Sequence, residues 1–185
     1  MLNDKSVVEF INTLASKEVA PGGGSLGFFL VALGGSLILK TIRISQKLFP
    51  DQNLFKKYES FLEDFSNEFL WYVEKDAKDY IEAVKYAKSD KELFSRKLFE
   101  SVRFLIDTVK KGLGFLNYLT EFSAFVKDSI YSDLECGRVT IVAGLLCLVR
   151  TGYANLKYIK TSDKQLIESE LDDLKIKIDQ IKYTV

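Results

Sequence analysis

The chain has 185 residues, of which 47% are hydrophobic and 28% charged, and 26 basic residues balance 26 acidic ones. That is enough chain and enough apolar surface for one ordinary domain, taken here as residues 1–185, and it excludes a disordered tail. Zero net charge gives no support for nucleic-acid binding, and the absence of histidine excludes imidazole catalysis and His-ligated metal. Two prolines predict few loops and long helices.

In chain order, Ser6…Glu9 has the S-x-x-E spacing of a capping box, so the first helix starts near Val7. Val7, Phe10, Ile11 and Leu14 would form its apolar face. Pro21-Gly22-Gly23-Gly24-Ser25 then opens a second helix that runs to about Lys47. The third is predicted from about Gln52 to Lys88, with Tyr58, Leu62, Phe65, Phe69, Val73, Tyr80 and Val84 in one stripe. Ser89…Glu92 marks the fourth start, ahead of Phe94, Leu98, Val102, Leu105 and Val109. Ser132…Glu135 marks the fifth, and Ser162…Gln165 the sixth, which carries Leu171, Leu174, Ile178 and Ile181. The reading is all-α, about six helices and no strand.

Residues 19–39 carry no charge over 21 positions, but the first part is the proline and glycine cluster. The apolar helix proper, Ser25 to Leu39, is about 22 Å long, short for a hydrocarbon core of about 30 Å. A buried helix is expected, not a membrane span. Leu26–Leu39 and Val139–Val149 are apolar nearly all round and need cover on every side. Dimerisation through these apolar helices is therefore expected. Cys136 and Cys147, if on one helix, stand about 16 Å apart, too far for a disulfide. Two idle thiols, and an N-terminus without the basic and apolar regions of a signal peptide, suggest a reducing, cytoplasmic location.

Four features could carry chemistry. The three glycines permit either a tight turn against a neighbouring helix or a ligand-facing loop at a helix N-terminus. Asp76 interrupts the apolar stripe of the third helix. It is either a structural carboxylate, paired or capping another helix, or an acid–base group whose pKa burial raises. Ser132-Asp133 reads as a helix start or as a second carboxylate at a site mouth. Lys40, Arg43, Arg138 and Arg150 flank apolar helices, as solvated ends or as binders of an anionic tail.

The segment FINTLASKEVAPGGGSLGFFLVALGGSLI resembles the opening of the cyclodeaminase/cyclohydrolase family of folate enzymes. Glu74-Lys75-Asp76-Ala77 through Tyr80 is similar to its Asp-Ala-x-x-Phe/Tyr signature. Ser132-Asp133, Gly137 and Gly152-Tyr153-Ala154-Asn155 are similar to its Ser-Asp-x-Gly helix and later Gly-Ala-x-x-Asn. The resemblance implies an all-α homodimer with folate sites at or near the subunit contact, and chemistry that needs neither metal nor redox cofactor. It implies a formimidoyltetrahydrofolate cyclodeaminase or a methenyltetrahydrofolate cyclohydrolase. Asp76 would be the acid–base group and Asp133 would hold or polarise the pterin. Gly23, Gly24 and Ser25 would offer amides to the substrate, and Lys91 or Arg43 would meet the glutamate tail. The sequence departs from the pattern at Phe125–Tyr131, where the family carries Gly-Asn-x-Asn, and in the bulky Leu26, Phe28, Phe29 and Leu30. These departures motivate the alternative of a catalytically inactive folate-binding or partner-binding member.

Overall fold

The computed structural model describes residues 5–160 and 162–182. Six α-helices and no strand appear among them: α1 (Val7–Leu14), α2 (Gly23–Ile44), α3 (Gln52–Val84), α4 (Lys91–Ser123), α5 (Tyr131–Leu156) and α6 (Lys164–Lys182). Single 3-10 turns at Gln46–Leu48 and Asp128–Ile130 precede α3 and α5.

The local start signals hold in part. Ser6 forms a complete capping box: its Oγ accepts from the Glu9 amide at 3.2 Å, and Glu9 Oε2 accepts from the Ser6 amide at 2.7 Å. The cap of α4 is Asp90 rather than Ser89, its Oδ1 accepting from the Leu93 amide at 2.9 Å. Ser132 is not a cap, because the 3-10 turn leads directly into α5 one residue earlier. The sixth helix begins at Lys164, two residues past Ser162. The second and third helices end at Ile44 and Val84, short of the expected Lys47 and Lys88. On α1 only Phe10 is buried, with its ring 4.7 Å from that of Phe29, while Val7 (62%) and Ile11 (56%) stay exposed.

The centre of the bundle is α2 against α5, antiparallel and very close. Glycine makes that approach possible. A Cβ on Gly27 would lie 2.9 Å from the Gly144 carbonyl oxygen, and one on Gly34 would lie 2.6 Å from that of Gly137. Behind this pair, α3 packs on α2 and α4 packs on α5, while α6 covers α5 and α4. Phe28, Phe69, Leu98, Leu105, Leu134, Leu145 and Ile178 are among the buried side chains of one continuous core. Ion pairs from Glu170 on α6 to Arg103 (2.5 Å) and Lys110 (2.7 Å) on α4 fix the outer layer.

Both α2 and the stretch Asp128–Leu156 are long and apolar enough to cross a membrane by length and composition. In the bundle each turns an inner face to the core. Their outer faces lie side by side and stay open, with Leu33 (46%) and Val139 (49%) the most exposed apolar residues on them. The two cysteines are free, Cys136 exposed and Cys147 half-buried.

Candidate functional site

Three elements meet at one end of the central pair. The first is the start of α2, whose N-cap is Gly22 and has no side-chain cap. Its first-turn amides have no carbonyl of their own helix to bond. The second is Asp76 on α3, placed by the stripe where an apolar residue would stand. The third is the C-terminal part of α5. Together they enclose a cleft of about 580 Å³.

Asp76 reaches the first turn of α2. Ser25 Oγ donates to Asp76 Oδ2 at 2.7 Å, and the Ser25 amide also bonds the carboxylate. The carboxylate thus caps a neighbouring helix from outside, where the helix dipole favours negative charge. Burial acts the other way and is the larger influence. It pushes the Asp76 pKa above the usual carboxylate range, against the lowering effect of the two Ser25 bonds.

The approach explains Gly24. A Cβ there would sit 2.3 Å from Asp76 Oδ1. No described glycine has positive φ, so Gly23 and Gly24 serve close approach rather than a left-handed turn. A Cβ on Gly23 would likewise meet Thr151 Oγ1 at 3.0 Å.

Opposite Asp76, α5 presents Cys147, Thr151 and Asn155 at i, i+4 and i+8, so all three line the cleft. Thr151 Oγ1 donates to the Cys147 carbonyl at 2.9 Å. Burial raises the Cys147 thiol pKa, which keeps it protonated. Tyr80, one turn beyond Asp76, forms the α3 wall. Arg150 stands exposed at the rim and forms no ion pair among the described residues. No cluster of three carboxylate or thiol groups fit to hold a metal occurs among the described residues.

The sequence of residues 6–174 matches the family model described as formiminotransferase-cyclodeaminase. The chain belongs to that family. In fold it is similar to the formiminotetrahydrofolate cyclodeaminase of Thermotoga maritima, with a TM-score of 0.85 and 18% identity. The alignment covers 97% of this chain and 93% of that one. None of the curated proteins matches the sequence.

Of the residues that the family resemblance singled out, the fold gathers Gly23, Gly24, Ser25 and Asp76. Ser25 itself is fully buried, so its hydroxyl serves Asp76 and is not open to a ligand. Asp133 is elsewhere in this chain. It pairs with Lys40 at 2.7 Å, and Lys40 lies 15 residues along α2 from Ser25, about 22 Å away. Arg43 is also at that far end, bound to Glu59 (2.7 Å) and Glu63 (3.2 Å) on α3. Lys91 opens α4 and lines a separate depression with Arg96 and Lys160. Neither cation reaches the cleft; Arg150 does. Thr151 and Cys147 were missed as site residues. The signal was their four-residue spacing up to Asn155 on an otherwise apolar helix.

Proposed function

We propose that the chain is a formimidoyltetrahydrofolate cyclodeaminase, converting 5-formimino-tetrahydrofolate to 5,10-methenyl-tetrahydrofolate and ammonia. The observation that carries this reading is the partly buried carboxylate of Asp76, held by Ser25 on the wall of a cleft. Family membership supplies the substrate class.

The folate N10 attacks the formimino carbon on N5 and forms a tetrahedral centre. N10 then loses a proton, the nitrogen of the formimino group gains one, and the C–N bond to it breaks as ammonia leaves. Asp76 suits the proton transfers, because it lines the cleft and burial raises its pKa above the ordinary carboxylate value. Such a group typically contributes 10²–10⁴-fold. Holding N10 against the carbon contributes through proximity. The α2 amides of Gly23 and Gly24 face the substrate. Arg150, a rim cation with no ion pair among the described residues, takes a carboxylate of the glutamate tail in place of Arg43 or Lys91. The related cyclohydrolase reaction, water adding to the methenyl carbon, would use the same proton group.

The open faces of α2 and α5 suit a homodimer in the cytoplasm. A two-fold axis across the helices would lay the Asp133 end of a second copy over the cleft of the first. Asp133 would then act between subunits. Mixing Asp76→Asn and Asp133→Asn subunits tests this: regained activity supports it, and a mixture as inactive as its parts refutes it.

The deciding experiment follows methenyl-tetrahydrofolate spectroscopically, starting from the formimino compound and from the methenyl compound. Ammonia-linked formation of the methenyl product supports the proposal. Hydrolysis of the methenyl compound alone assigns the cyclohydrolase reaction instead. Tight binding without turnover of either identifies a non-catalytic folate-binding member.

A further inference from the structure

One side chain in the cleft has no task in the chemistry above. Asn155, near the end of α5, is only 6% exposed. Its backbone carbonyl accepts from the Tyr158 amide, but its carboxamide has no partner among the described residues. No described side-chain nitrogen or oxygen sealed from solvent lacks a hydrogen bond. The unpaired amide atoms therefore open into the cleft that Asn155 lines.

Its neighbours do not compete for it. The Thr151 hydroxyl is donated to the Cys147 carbonyl, and Asp76 is held by Ser25. A nearly buried carboxamide left unpaired costs stability relative to an apolar side chain of similar size. That cost is met when a ligand supplies the missing partners.

We propose that Asn155 recognises a flat heterocycle by an edge that carries N–H and C=O side by side. The carboxamide offers one acceptor and one donor, the complement of such an edge. This identification of the ligand rests on the folate reading, in which the edge is N3–H and the 4-oxo group of the tetrahydropterin. Oδ1 would accept from N3–H while Nδ2 donates to the 4-oxo oxygen. An aspartate would present two acceptors and repel that oxygen.

The test titrates tetrahydrofolate, and a tetrahydropterin without the tail, into wild type, Asn155→Leu and Asn155→Asp by calorimetry. Thermal denaturation is recorded without ligand. Both variants should bind both probes at least about tenfold more weakly, since each leaves a ligand polar group unpaired. Asn155→Leu should melt at or above the wild-type temperature. A Leu variant that binds like wild type overturns the assignment while leaving the folate reading intact. So does one that melts several degrees lower, because the amide would then be a structural strut. Wild type that binds neither probe overturns the folate reading and this inference with it.

Discussion

One chemical change, glycine to alanine inside a helix, should have opposite effects at two positions of this bundle. At Gly34 an added Cβ would lie 2.6 Å from the Gly137 carbonyl oxygen and 2.7 Å from Ile141 Cγ1. The first contact is with backbone on the facing helix, so it cannot be relieved by a rotamer change; α2 and α5 must separate. Overpacking of this kind costs about 1–3 kcal/mol. For a chain of this size that lowers the melting midpoint by about 2–4 °C per kcal/mol, so about 4–8 °C for a mid-range cost. At Gly114, in the exposed interior of α4, an added Cβ would meet nothing within 4 Å. There the lower backbone entropy of the unfolded alanine chain should stabilise by about 0.5–1 kcal/mol. Thermal denaturation of Gly34→Ala and Gly114→Ala beside the parent reads both signs. If Gly34→Ala melts within a degree of the parent, the two helices are not in the contact described, and the register that builds the cleft is wrong.

Asp76→Asn should raise stability at neutral pH, because the folded-state pKa of Asp76 is raised by burial. The folded protein holds that proton more tightly than the unfolded chain does. The carboxylate therefore costs stability above the folded pKa, and the cost disappears as pH falls toward the unfolded value near 3.9. Denaturant unfolding at pH 7 and pH 4 should show the variant's advantage shrinking on acidification; an advantage that grows would contradict the assignment. Arg150→Gln should raise KM for the folate about tenfold with kcat little changed, since one charged hydrogen bond at the rim is lost. A tail-less tetrahydropterin should bind both forms equally, and a KM that does not move would remove Arg150 from the site.

The helices were legible in the sequence because their causes are local. The Ser6 box and the stripe from Tyr58 to Val84 follow from spacing alone. The cap of α4 was displaced by one residue because Ser89 and Asp90 are adjacent and both can cap; the aspartate does so. The start of α5 was misread because a 3-10 turn supplies what a serine cap would. On α1 the pattern suggested a full apolar face, yet an eight-residue helix touching the bundle only through Phe10 cannot bury it. Asp76 stood out as a carboxylate in an apolar stripe, and its Ser25 partner lay in the glycine motif. Arg43 and Lys91 lie outside the cleft of their own chain because the cleft's position depends on a long-range fact, the antiparallel register of α2 and α5. That register is set where Gly27 meets Gly144 and Gly34 meets Gly137, and it brings Arg150, Thr151 and Asn155 opposite Asp76.

The central claim is that the Asp76 carboxyl group moves the proton. Turnover of 5-formimino-tetrahydrofolate by purified Asp76→Asn, with folding checked by its melting curve, addresses it directly. A folded variant slowed by about 10²–10⁴-fold is the expected result. A folded variant that forms the methenyl product at the parental rate would contradict it.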